Sequence, residues 1–321
     1  MNIIYFDQWV YIRLLRAYKG KSPEYPKYAE ICKGIIESSQ KGINKFPFSL
    51  AHLEETIKRN NLGSRKELYK FIFDLSGFFT IRLWVQVINL EVRNAILKSL
   101  NLKPIDLSNY VFGNELGHCF GSKGRIKSND PNKEIPEEIQ NKLNSALKDS
   151  ELMADVLCTD QMIDYVEQII QRDKDLADEL EILRKKEYSH PDKNKRKDIS
   201  YVRFFLTVIQ DEFTKALLEF NLDYKEYMNH IFSSKESAKA FLKSIPTAYT
   251  FHVLNDARNQ NFSRPIEPND LWDLGTLAIA VPYCDVVVTE REWSNILNQK
   301  RIGELYSTKI IHRIEDLSEF I

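Results

Sequence analysis

The stretch from Pro268 to Trp293 constrains this chain more than any other, because it reads as a helix, a tight turn and a buried strand with acids at the junctions. Pro268 and Asn269 make a helix start, with Asn269 or Asp270 available to cap exposed N–H groups. Leu271, Leu274, Leu277, Ala278 and Val281 then recur at helical spacing, and Pro282 is expected to stop the helix. Val286-Val287-Val288 is a β-branched run suited to a strand covered on both faces. Thr289 and Glu290 fall at its carboxyl end, where open α/β sheets place their ligands. Asp270 and Asp273 share a helix face, so with Asp285 and Glu290 they surround a single helix–strand unit with negative charge.

Hydrophobic residues make up 43% of the 321 positions, enough for a sizeable core and too many for a disordered chain. The 18 Phe and 15 Tyr against only 11 Gly and 11 Pro suit a helix-rich protein better than an all-β one. A formal net charge of −1 argues against a purely electrostatic, histone-like binder, while leaving room for a local basic patch. Cys32, Cys119, Cys158 and Cys284 are scattered, which suggests neither a zinc knuckle nor a disulfide framework. Arg82, Gln86 and Asn89 interrupt the best apolar run, and no signal peptide is expected. A reduced, cytoplasmic protein follows as the default.

In chain order, Asn2 to Phe6 is an apolar run delivering Asp7 at its end, the pattern of a buried first strand. Residues 8–18 and 27–40 read as helices, and Phe46-Pro47-Phe48 as a short second strand. Ser49 suits the N-cap of the helix carrying His52, Glu54 and Glu55. From about residue 64 to 245 the text turns helical and charged, with no strand alternation. Lys309-Ile310-Ile311 reads as a last strand before a short terminal helix. The economical architecture is an α/β core from residues 1–63 and 246–321, a parallel sheet flanked by helices, interrupted by a large all-helical insertion at 64–245.

If the strands are parallel, Asp7 and the late carboxylates gather at one sheet edge with Glu55 facing them. Several unpaired carboxylates at one place repel and raise each other's pKa, and a divalent cation resolves the conflict. An all-oxygen donor set suits Mg²⁺ or Mn²⁺ rather than zinc. Such ions neutralise charge developing on a phosphodiester, which points to metal-dependent hydrolysis of a nucleic-acid backbone. The plainer alternative is that Asp270 and Asp273 only favour the dipole of their own helix.

These residues together resemble the PIN-like nucleases. The resemblance rests on Asp7 after the first strand, Ser49-His52-Glu55 on a helix, Asn269-Asp270-Asp273, and Tyr283-Cys284-Asp285 leading through an apolar strand to Thr289-Glu290. It covers roughly the outer 130 residues and leaves the middle uncovered. It implies a PIN-like fold and a Mg²⁺- or Mn²⁺-dependent endoribonuclease. By position it implies Asp7, Glu55, Asp273 and Asp285 as catalytic groups and metal ligands, with Asp270 and Glu290 as further ligands. The family more often has Asp where Glu290 stands, and Glu54 competes with Glu55. The resemblance also suggests a toxin or phage-defence effector.

Arg258 and Arg264 are candidates to hold a substrate phosphate, by virtue of the planar guanidinium fork, or else are solvated loop charges. Arg13 and Arg16 are candidates for pairing with the acids, and Lys193 to Lys197 for an RNA backbone. His52 is expected to be a packed, hydrogen-bonded residue. RNA is favoured over DNA by the resemblance alone, and the insertion is expected to clamp RNA, mediate self-association or bind a regulating protein, with no membrane involved. The competing readings are a nucleic-acid or protein-binding module with a degenerate acidic site and a structure-specific DNA nuclease.

Overall fold

The computed structural model describes residues 1–121, 135–159, 162–188 and 190–321, so Lys123, Gly124, Arg125 and Lys127 lie outside the described residues. The chain is 69% helical around a small parallel sheet with strand order β2-β1-β5-β6. The strands are β1 (Asn2–Phe6), β2 (Asn44–Lys45), β5 (Val286–Val288) and β6 (Lys309–Ile311). β1 pairs with β5 through Ile4↔Val286, Tyr5↔Val287 and Phe6↔Val288.

Alternation along β1, β5 and β6 explains why their apolar residues run consecutively. Ile4, Phe6, Val286, Val288 and Ile311 enter one apolar cluster, which also holds residues of helices Gln8–Tyr18, Ala29–Gln40 and Leu62–Ser76. Tyr5, Val287 and Ile310 enter another, built from helices Asp270–Tyr283 and Arg291–Gln299. Side chains of successive residues point to opposite faces, so a sheet covered on both sides needs an unbroken apolar run.

Several elements differ from the sequence expectation. The second strand lies at Asn44–Lys45 and not at Phe46–Phe48. Pro47 has no N–H for a ladder, and Phe48 instead bridges to Thr80. The segment 64–245 is not all-helical: β3 (Thr80–Ile81) and β4 (Phe112–Gly113) form an antiparallel pair, too short to register as alternation. Helix Leu62–Ser76 carries Leu68, Ile72 and Phe73 into the same cluster as β1, so packing continues across residue 64. A third cluster runs from Ile88 and Val92 through Phe204, Phe213 and Phe241 to Ala248, so packing also continues across residue 245. Helix Asp270–Tyr283 runs one residue past Pro282, and Asn269 makes no side-chain cap bond.

Candidate acidic site

Asp7 follows β1 and Glu290 follows Thr289 after β5, so parallel pairing brings both to the same sheet edge. The Asp7 N–H donates to Val288 O at 2.9 Å. Its carboxylate accepts from Thr289 Oγ1 at 3.1 Å and from the backbone N–H groups of Gln8 and Glu290. Glu55 comes from helix Leu50–Ile57, and Asp273 from the first turn of Asp270–Tyr283, where Trp293 Nε1 donates to it at 3.3 Å. Four carboxylates from four elements therefore face one region.

Their electrostatics record the crowding. Burial and then Glu290 push Asp7 up to about 6. Burial and then Asp7 push Glu55 up to about 8, against a smaller opposing effect of Lys58. Asp273 is raised well above the usual range by burial, Asp7, Glu55 and Glu290. Tyr5 lies beneath them, raised by its own burial and then by Asp7 and Glu55.

No three His, Cys, Asp or Glu groups among the described residues stand close enough together to share a metal ion. The two facts are compatible: charges interact over many ångströms, whereas one ion needs oxygens at about 2 Å. The all-oxygen donor set and the crowding of like charge fit a hard divalent ion chemically. The side chains as they stand are not closed around one.

Helix Leu50–Ile57 is aimed by His52. The ring Nδ1 accepts the Ser49 N–H at 2.9 Å, filling the role of the third residue in a capping box. Nε2 must then carry the proton and donate to Phe6 O at 2.7 Å. That bond ties the helix to the residue before Asp7. Burial lowers His52 to about 4, so the ring is neutral, the packed histidine expected. Glu54 turns the other way, its Oε1 accepting from Tyr165 at 3.5 Å, while Glu55 faces Asp7.

Two expected carboxylates and two expected arginines are not there. Asp285 precedes β5, so it lies at the opposite sheet edge, exposed, with its carboxylate accepting the Ile3 N–H at 2.7 Å. Ile3 and Asp7 are separated by four residues of strand, about 13 Å at ~3.3 Å per residue. Asp285 therefore cannot share an ion with Asp7, and Glu290 occupies the corresponding position at the acidic edge. Asp270 is fully buried and already neutralised, accepting from Arg258 Nε at 2.7 Å, Arg264 at 2.9 Å and the Glu267 N–H at 2.9 Å. It is a structural ion pair and not an open ligand.

Arg258 is 1% exposed and spends its remaining donors on the carbonyls of Arg264 and Pro265. Arg264 pairs with Glu267, Asp270 and Glu292. Neither is free to hold a phosphate. Arg16 pairs with Glu24, and Arg13 lies over Trp9, so neither pairs with the acids.

Sequence reasoning missed the rim. Lys58, one helical turn after Glu55, donates to Asp173 at 2.8 Å. Asp173 belongs to the long helix Met162–Tyr188 and also accepts from Trp272 Nε1 at 2.9 Å. Burial would raise this acid, but Lys58, Trp272 and Arg172 hold it below the ordinary carboxylate range. Farther along the same helix, Arg184 donates to the carbonyls of Asn261 and Arg264, and Glu181 accepts the Ile266 N–H. The insertion thus braces both the rim of the site and the loop that supplies Arg264. The spacing from Glu55 to Lys58 was visible in the sequence, whereas a partner more than a hundred residues away was not.

Compared with protein-family models, curated proteins and solved structures, the chain finds no match.

Proposed function

We propose that the chain is a divalent-metal-dependent nuclease of PIN-like type, acting on RNA. The observation that carries this reading is the gathering of Asp7, Glu55, Asp273 and Glu290, from four elements, at the carboxyl edge of a parallel sheet. Mutual repulsion that raises Asp7, Glu55 and Asp273 is what an Mg²⁺ or Mn²⁺ site would relieve on loading. When bound, such an ion supplies neutralisation of phosphoryl charge and a more acidic water. Thr289 and the backbone N–H groups of Gln8 and Glu290 fix Asp7, while Trp293 fixes Asp273. The preference for RNA, and a role as toxin or defence effector, rest on the resemblance of the motifs.

A second reading, a binding module with a degenerate acidic site, is favoured by the lack of any three donors closed on a common point among the described residues. Cleavage of labelled single-stranded RNA and DNA with Mn²⁺, Mg²⁺ or EDTA separates the two. The nuclease reading expects EDTA-sensitive cleavage, reduced at least ~100-fold in Asp7→Asn and Asp273→Asn, the order of loss for removing an electrostatic catalytic group. Asp285→Asn should retain wild-type activity. Nucleic-acid binding that survives EDTA and Asp7→Asn, with no cleavage by folded wild type, establishes the binding module instead.

A further inference from the structure

Away from the acidic edge, the insertion and helix Pro246–Gln260 enclose a cavity of about 680 Å³. None of the four site carboxylates lines it. Its volume falls within the ~300–1,000 Å³ that small-molecule sites occupy. Helix Lys235–Lys243 presents Lys235, Lys239 and Lys243 at four-residue spacing, so all three share one face, and Lys300 joins them from the core.

These four lysines face two carboxylates, Asp198 and Asp256. Asp198 pairs with Lys235. Asp256 accepts from Tyr188 at 3.0 Å and from Gln260 at 2.6 Å. Lys239 and Lys300 have no carboxylate partner among the described residues, and the Lys243 ammonium stands 5.8 Å from the Tyr249 ring centre. The cavity therefore carries uncompensated positive charge.

Its other walls are aromatic. Tyr201, Phe232 and Tyr249 line it with His252, whose ring lies 5.7 Å from Tyr201. His252 Nδ1 is buried without a hydrogen-bond partner. That nitrogen is closed to solvent, so the ring meets the cavity through its other atoms. Cationic amines beside aromatic faces match a planar ring that carries phosphates.

We propose that this cavity is a second ligand site, for a nucleoside phosphate, with the base against Tyr201, Phe232 and Tyr249 and the phosphates on Lys239, Lys243 and Lys300. The site stands whatever chemistry the acidic edge performs.

Calorimetric titration of the full chain with ATP and UTP, in EDTA so that the carboxylates hold no metal, tests it. Saturable binding is expected, weakened at least tenfold by the double substitution Lys239→Glu and Lys243→Glu, weakened by His252→Phe, and unchanged by Asp7→Asn. Inorganic tripolyphosphate, which lacks the base, should bind at least tenfold more weakly than ATP. The proposal is overturned if neither nucleotide binds up to millimolar concentration. Equal affinity for tripolyphosphate, or full binding by the folded lysine double variant, overturns it too. Loss of binding in folded Asp7→Asn would move the nucleotide to the acidic edge and refute the cavity site.

Discussion

Asp7 shows how one side chain can be both well held and ill at ease. Three donors favour its charge, yet burial and Glu290 outweigh them. A group whose folded pKa lies above its unfolded value binds protons more tightly when folded, so stability falls as pH rises between the two values. For Asp7 that window runs from 3.8 to about 6, and for Glu55 from 4.5 to about 8. At ~1.4 kcal/mol per pKa unit, Asp7 alone sets an upper bound of about 3 kcal/mol, lowered by its partial contact with solvent. In EDTA the unfolding midpoint should therefore drop from pH 5 to pH 8. Mn²⁺ should restore more stability at pH 8 than at pH 5, and thermal melts at both values measure it. An equal Mn²⁺ effect at the two pH values would detach the carboxylates from metal binding.

His52 was legible as a packed residue, since a lone histidine on an amphipathic helix usually satisfies its neighbours. Its partners, the Ser49 N–H and Phe6 O, were not. Replacing it by Ala leaves both groups buried and unpaired, at about 1–3 kcal/mol each if neither relaxes. Chemical denaturation of His52→Ala should show a loss in that range. A change below ~0.5 kcal/mol would mean the ring does not hold the helix to β1.

Helix and strand directions decided which acids meet. Asp285 and Glu290 both flank β5, but a strand has two ends, and parallel pairing with β1 gives the edge of Asp7 only to Glu290. Adjacency in the sequence stood in for proximity there, although strand polarity was already enough to separate them. Glu91, in helix Trp84–Ser99, performs a different task across elements. It accepts the Thr247 N–H at 2.9 Å, the Thr247 hydroxyl at 2.7 Å and the Tyr283 hydroxyl at 2.7 Å, so it caps helix Pro246–Gln260 and ties it to helix Asp270–Tyr283. Burial pushes it up to about 7 despite these donors. Glu91→Ala strands all three donors and should cost about 3–5 kcal/mol, the range for breaking a buried polar cluster. Gly275, in helix Asp270–Tyr283, packs directly against Trp84 of helix Trp84–Ser99: a Cβ there would stand 2.5 Å from Trp84 Nε1. Gly275→Ala should cost about 1–3 kcal/mol by overpacking, read from the same denaturation curves.

Over the whole molecule, two of the three apolar clusters share boundary residues. Trp84, Tyr249 and Phe251 touch both the sheet's second face and the third cluster. The long helix Met162–Tyr188 joins the insertion to the acidic rim through Asp173, which is 3% exposed. Asp173→Ala removes the acceptor of Lys58 and Trp272, and should cost about 1–3 kcal/mol because both donors are only partly buried and Lys58 keeps Asn269 as an acceptor. It should also speed limited proteolysis within that helix, because its docking on the core is loosened. Unchanged protection would show that Ile169 and the neighbouring apolar contacts hold the helix unaided.

Local patterning alone specified the strands Asn2–Phe6, Val286–Val288 and Lys309–Ile311, a helix start near residue 270 and the carboxylates worth watching, since each is a matter of period, capping and residue type within a few positions. Which carboxylates face one another, which is neutralised by Arg258 and Arg264, and which helix closes the rim were decided only by the tertiary structure. Charge interactions and burial depend on distance through space. Residues such as Lys58 and Asp173, or Asp7 and Glu290, carry no mark of that distance until strand direction and helix packing set it.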